Sequence, residues 1–337
     1  MTIIYAIIIF CVLIFVHEFG HFIVAKACGV KVNEFSLGMG PLIFKRQKGE
    51  TQYSLRILPI GGYCAMEGED EDSEDSRAFN NKPAWQRACV LAAGPLMNLL
   101  TAVLLLTIIA TWSGQPTTTI GQVQDGSPAY EAGIKAGDEI LYVDDKEINE
   151  WNDLLTAVGQ TKAETVSVKV LRDDEMLTVE SRVEYDKKAQ RSKIGIVPEV
   201  RHNIIKGTVT GVKSTGTMTV MMYDILKKLV TGKASVKELS GPVGIVYAVN
   251  DSAKAGTVYV IYLSALLSLN LAVMNLLPFP ALDGGRLLFL VIRKITGEHM
   301  TDEMEGKVHF IGIMLLLLLM VYVTWNDIMR FVVPIFS

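Results

Sequence analysis

FVHEFGHFIVAK, Phe15–Lys26, sets two histidines and a glutamate inside an apolar run that begins at Thr2. A charged side chain at the centre of a bilayer costs roughly 3 kcal/mol or more, so such groups in an apolar segment need a partner or a task. Three further apolar segments, Ala88–Trp112, Val258–Leu277 and Phe310–Trp325, are long enough or nearly so to cross about 30 Å of hydrocarbon. Half of the 337 residues are hydrophobic, and the mean hydropathy is +0.32. These features predict a polytopic α-helical membrane protein with four transmembrane helices, embedded in a lipid bilayer. The first segment lacks the basic start and small-residue cleavage site of a secretory signal. A net charge of −4 suggests no nucleic-acid partner. The four cysteines form no C-x-x-C, and none lies between the second and third segments, which argues against a disulfide framework.

Working outward, residues 1–28 form the first span and 29–84 a loop rich in Lys and Arg, including Lys31, Lys45, Arg46 and Lys48. The connection at 279–307 carries Arg286, Arg293 and Lys294. By the positive-inside rule both loops are cytoplasmic, leaving the N-terminus, the 113–256 region and the C-terminus outside. The remaining spans are 85–112, 257–278 and 308–332. Residues 31–63 alternate β-branched or aromatic with polar residues around glycines, which predicts membrane-associated β-hairpins. The acidic run EGEDEDSED (67–75) reads as a solvated, mobile loop. Residues 118–200 read as a small extracytoplasmic α+β domain of short strands, two short helices and an Asp-Asp turn. Residues 203–256 read as a helix and linker, the helix lying either on the outer membrane surface or beneath that domain.

His17 and His21 are four residues apart, so on a helix they share one face and can reach a single zinc ion. Glu18 is turned about 100° from His17, a placement suited to taking a proton from a water beside the metal rather than to ligation. A catalytic zinc needs a third protein ligand. In NLLPFPALDGGRL, Asn275–Leu287, Asp283 is the lone acidic residue. Pro278 and Pro280 should stop the third span and leave Asp283 on unwound chain near the cytoplasmic face. His202, His299 and His309 read as surface or interfacial, and Asn98 as an interhelical hydrogen-bonding group.

HEFGH on the first span and N-x-x-P-x-P-x-L-D-G-G after the third resemble the site-2 protease family of intramembrane zinc metalloproteases. AAGPLMN (92–98), LSGPVGI (239–245) and the strand-rich loop extend the likeness over nearly the whole chain. Gly-x-x-x-x-Gly-Ser-Pro-Ala, Ala-Gly-Ile and Ala-Gly-Asp-Glu-Ile-Leu in residues 118–200 look like a circularly permuted bacterial PDZ domain, which narrows the resemblance to the bacterial RseP/RasP type with one such domain. The resemblance implies Zn2+ held by His17, His21 and Asp283, Glu18 as general base, and Asn275 near the scissile carbonyl. It also implies that the loop of Gly38 and Gly40 pairs with extended substrate, and that substrates are transmembrane proteins such as anti-sigma factors or remnant signal peptides, cut in the bacterial cell membrane. KIGIVPE (193–199) resembles a carboxylate-binding loop in which Gly195 frees backbone N–H groups. The rival reading is a catalytically silent membrane scaffold with a peptide-binding PDZ domain and a structural metal.

Overall fold

The computed structural model describes residues 2–69, 73–161, 163–186, 191–235, 239–296 and 302–336. The chain divides into two compact units, residues 1–109 with 210–337, and residues 110–209. His299 and part of the acidic run, residues 70–72, lie outside the described residues.

In the first unit, α1 (Thr2–Ala27) is the apolar segment that carries the histidines. Two long strands follow, β1 (Val32–Lys48) and β2 (Thr51–Met66), in one bent hairpin rather than several. Glu34 to Leu37 stand opposite Ala65 to Gly62 on one side and Gln52 to Leu55 on the other, so the start of β1 is the centre of the folded sheet. Gly38 makes the bend possible: its φ is +86°, and a Cβ there would stand 2.7 Å from the Leu58 carbonyl. Phe15, Phe19 and Phe22 line one side of α1 and pack on Phe35 and Tyr53, which seats the hairpin base on the helix. Ala25, Val32, Phe35, Met66, Val90 and Leu91 close this core.

The chain then forms α2 (Ala84–Ser113), with Pro95 inside it. Glu67 accepts hydrogen bonds from Ser73, Asn33 and Lys31, which hold its carboxyl down at about 2, so this end of the acidic run is anchored rather than free. Glu69 pairs with Arg286.

After the second unit come α5 (Ile204–Val230), α6 (Pro242–Ala255), α7 (Thr257–Asn275), α8 (Asp283–Thr296) and α9 (Asp302–Asp327). A short π-helical turn (Ile328–Val332) and α10 (Val333–Phe336) finish the chain. Among the described residues, four helices are long and apolar enough to cross a membrane: Ile3–Ala27, Ala84–Ser113, Thr257–Asn275 and Met304–Val332. The region read as helix and linker is instead two helices, α5 and α6. On one side of α5, Met218, Met222 and Leu226 pack with Leu99 of α2 on a core of Ala102, Leu269 and Val273. Gly211 permits the approach, since a Cβ there would stand 2.8 Å from Thr107 N. The N-terminus of α6 is capped from α9, where buried Asp327 accepts the N–H groups of Gly241 and Gly244 at 2.9 and 2.7 Å.

The second unit is built on a six-stranded sheet in the order β10-β3-β4-β6-β7, with β5 on β4. These strands are β3 (Gln115–Val123), β4 (Glu139–Val143), β5 (Lys146–Glu147), β6 (Thr165–Arg172), β7 (Glu175–Arg182) and β10 (Ile196–Arg201); β8 (Glu184–Asp186) and β9 (Arg191–Lys193) form a separate pair. Two short helices, α3 (Pro128–Glu131) and α4 (Trp151–Gln160), cover the core of Ile120, Ile140, Val168, Val170, Trp151 and Leu154. The β6–β7 turn places Asp173 and Asp174 at positive φ, the two-residue type that matches strand twist.

Asp138, 1% exposed, grips Arg172 through two 2.7 Å hydrogen bonds and accepts the Lys135 N–H at 2.8 Å. Burial pushes its pKa up, but the Arg172 fork and the Lys135 N–H outweigh this and leave it below the ordinary value. A depressed folded pKa means that the stabilisation is complete above the unfolded value, near 3.9, and fades as pH falls toward the folded one. Asp138→Ala removes both of these bonds, leaves Arg172 its hydrogen bond to the Gly133 carbonyl, and should cost about 1–3 kcal/mol in this unit. Thermal denaturation followed between pH 7 and pH 3 should show the wild type converging on the variant only at the acid end.

Candidate metal centre

Helical spacing in α1 puts His17 and His21 one turn apart, and Asp283 reaches them from the first turn of α8. His21 Nε2 lies 3.3 Å from His17 Nε2, and Asp283 Oδ2 lies 3.2 Å from His17 Nε2 and 3.5 Å from His21 Nε2. The side chains are 12%, 9% and 19% exposed for His17, His21 and Asp283. Four ligands at about 2.0–2.1 Å around a tetrahedral ion stand about 3.3–3.4 Å apart, which is the spacing of these three atoms. Asp283 Oδ2 is buried and accepts no hydrogen bond, although it faces both imidazoles. A buried anionic oxygen beside two ring nitrogens is resolved by a shared cation, so the donor set fits zinc. Among the described residues this is the one group of three or more His, Cys, Asp or Glu whose ligand atoms come together in this way.

Second partners fix each ring. His21 Nδ1 donates to the Val90 carbonyl at 2.8 Å, which leaves the Nε2 lone pair for the metal. His17 Nδ1 faces Asn98 Nδ2 at 3.2 Å, while Asn98 Oδ1 is buried without a partner. A half-turn of the amide gives Oδ1 the Nδ1–H of His17 and frees His17 Nε2 in the same way. Asn98 thus makes an interhelical hydrogen bond to one of the two candidate ligand histidines. Ser268 of α7 donates to the Asn98 carbonyl at 2.8 Å and ties α7 to α2 at this level.

Glycines set how closely the helices approach. A Cβ on Gly20 would stand 2.5 Å from the Ala93 carbonyl oxygen, so α1 and α2 lie almost in backbone contact. A Cβ on Gly94 would overlap His21 Nε2 and stand 2.8 Å from His17 Cε1. Beside Glu18, a Cβ on Gly62 of β2 would lie 3.5 Å from Glu18 Cγ, which makes this strand the wall along which the carboxylate runs.

Asp283 opens a helix rather than sitting on unwound chain. The unwound part is residues 276–282, where Ala281 holds φ +77°. Gly284 and Gly285 serve close packing: Cβ atoms there would overlap the carbonyls of Leu277 and Phe279, so α8 begins directly against the end of α7. Asn275 is the last residue of α7 and is half-buried. Gly38 and Gly40 lie in the bend of β1, with φ +86° and +81°. In the second unit Gly195, φ +84°, packs on Ser127, and its carbonyl accepts from Gln124 N at 2.9 Å and Ser127 Oγ at 3.3 Å. His309, read as surface or interfacial, is only 15% exposed and accepts the Ala281 N–H. All four cysteines are free.

The family described as Peptidase family M50 matches residues 5–319. The chain belongs to this peptidase family. This M50 peptidase is 41% identical over 97% of both chains to a Clostridium acetobutylicum protein that carries a zinc-metalloprotease name. It is 33% identical to the regulator of sigma-W protease RasP of Bacillus subtilis, covering 98% of each chain. The zinc metalloprotease RasP of Bacillus licheniformis is 32% identical, over 98% of this chain and 99% of that one. Solved PDZ domains of SdrC-like proteins from Listeria monocytogenes and Listeria innocua align with 25% and 26% of the chain and 87% and 99% of theirs, at 22% and 21% identity and TM-scores of 0.22 and 0.23.

Proposed function

We propose that this M50 peptidase is an intramembrane zinc endopeptidase that cuts a transmembrane segment of a membrane protein shortened by an earlier cleavage. The observation that carries the reading is the triad of His17, His21 and Asp283, which gathers around one point between a helix apolar enough to cross a membrane and the turn after another. When bound there, zinc supplies Lewis acidity toward a peptide carbonyl and acidifies a water. Glu18 takes the proton of the attacking water and returns it to the leaving amine nitrogen. Asn275 holds the substrate carbonyl or its neighbouring backbone.

A helical substrate hides its peptide bonds, so the scissile stretch must unwind, and its freed N–H and C=O groups must be paired inside the enzyme. The β1–β2 sheet is suited to pair with extended chain, with Gly38 and Gly40 in the substrate-facing loop. Its outer part exposes Met39, Ile43, Phe44, Ile57 and Leu58, side chains that a bilayer would cover. In this reading the site lies near the cytoplasmic side of the bacterial inner membrane. The second unit is an extracytoplasmic PDZ-like domain that filters substrates by size or binds their termini beside Gly195. Given the sigma-W regulator among its relatives, anti-sigma factors and remnant signal peptides are the substrate classes.

Purified enzyme in nanodiscs with a single-pass substrate tests this. Chelation by 1,10-phenanthroline should stop cleavage and zinc should restore it, with the cut mapped by mass spectrometry to a bond inside the apolar segment. A cut outside that segment, or full activity in metal-stripped enzyme, overturns the reading.

A further inference from the structure

α9 holds both ends of the segment that carries Asp283. At the near end, the Ala281 N–H donates to His309 Nδ1 at 2.8 Å, two residues before the ligand. Because Nδ1 accepts, the ring proton sits on Nε2, which faces the Glu305 carboxylate at 3.6 Å. At the far end the same Glu305 pairs with Arg293 of α8 at 2.7 Å. The His309 ring also lies 5.4 Å from the ring of buried Phe289 on α8. One turn along α9, a Cβ on Gly312 would stand 2.6 Å from the Pro280 carbonyl, so α9 is pressed against the backbone of the turn.

Ala281 is the hinge of this arrangement. A residue with a Cβ does not hold a left-handed φ without support, and the turn it makes sets where Asp283 emerges. We propose that His309 is a positioning residue of the metal site: by accepting the Ala281 N–H it holds the turn that delivers the Asp283 carboxylate to His17 and His21. The proposal rests on Asp283 being a zinc ligand. It assigns α9, which supplies no ligand, a direct part in the geometry of the site.

Three variants of the full-length enzyme separate positioning from packing. Asn places Oδ1 where His carries Nδ1 and can accept the same N–H. Gln is closer to His in volume but puts its acceptor one bond too far. His309→Ala and His309→Gln should release zinc to a chelator about 10-fold faster than wild type and lower kcat to a similar extent, at the weak end of effects reported for groups that orient metal ligands. His309→Asn should stay within about threefold of wild type in both, with KM little changed throughout. A space-filling role predicts the opposite order, with Gln better than Asn, and that order overturns the proposal, as does wild-type zinc release from His309→Ala. Asp283→Ala runs alongside as control. Zinc kept at full stoichiometry there removes the metal site itself, whereas failure of the His309 variants to respond leaves the site standing and removes only the role of α9.

Discussion

Glu18→Gln should leave zinc at wild-type stoichiometry and lower cleavage by about 10²- to 10⁴-fold, the range for loss of a positioned general base. The two halves of this expectation come from different parts of the structure. Zinc is kept because Glu18 is not among the three candidate ligands, and the two imidazoles are held by Val90 and Asn98 rather than by Glu18. Packing is kept because glutamine has the shape of glutamate, and the wall it runs along at Gly62 meets Cγ, which the substitution does not change. What disappears is the ability to take a proton, since an amide oxygen is too weak a base. Metal analysis with initial-rate measurement on a single-pass substrate checks both halves. Activity within a few-fold of wild type would exclude Glu18 as the base, and loss of zinc would mean that it helps to hold the ligands. A structural metal site gains nothing from a carboxylate that neither ligates nor pairs, so the outcome also separates the enzyme from a silent scaffold.

The three candidate ligands were legible because each is a statement about one short stretch. Helical geometry alone puts His17 and His21 on one face, and Asp283 is the lone acidic residue in its segment. Their supports were not legible, since every one is a contact between distant parts of the chain. Asn98 read as an interhelical hydrogen-bonding group, but which helix it meets could not be read from its own stretch; the partner is His17, a candidate ligand on α1. His309 looked peripheral because it begins an apolar run, yet that run packs its first turns against the Ala281 turn. The glycines of LDGG signalled tight backbone, but the reason is the carbonyls at the end of α7 rather than a left-handed φ; Ala281 holds that conformation instead. α8 was hidden by the two prolines before it, which mark an end and say nothing of a restart. In α5 the small residues Gly207, Gly211 and Thr215, spaced four apart, are a sequence signal of close helix packing.

Gly94→Ala should abolish zinc binding and with it at least 100-fold of activity, a larger effect than the removal of a single orienting group gives. The added Cβ would overlap His21 Nε2 and press on His17 Cε1, and neither ring can step aside at small cost. His21 is held at Nδ1 by the Val90 carbonyl, so a rotation that clears the methyl breaks that bond and turns the lone pair away from Asp283. Moving α2 outward instead would open its contact with α1 at Gly20 and draw Asn98 away from His17. Alanine in a helix interior is favoured over glycine by up to about 1 kcal/mol, so α2 itself gains from the change. The expected signature is therefore a protein that melts no earlier than metal-free wild type yet retains no zinc, while Leu96→Ala, at an exposed position on the same helix, keeps both metal and activity. Full zinc occupancy in Gly94→Ala would mean that α2 does not lie against the two histidines, and the geometry of the centre would have to be redrawn.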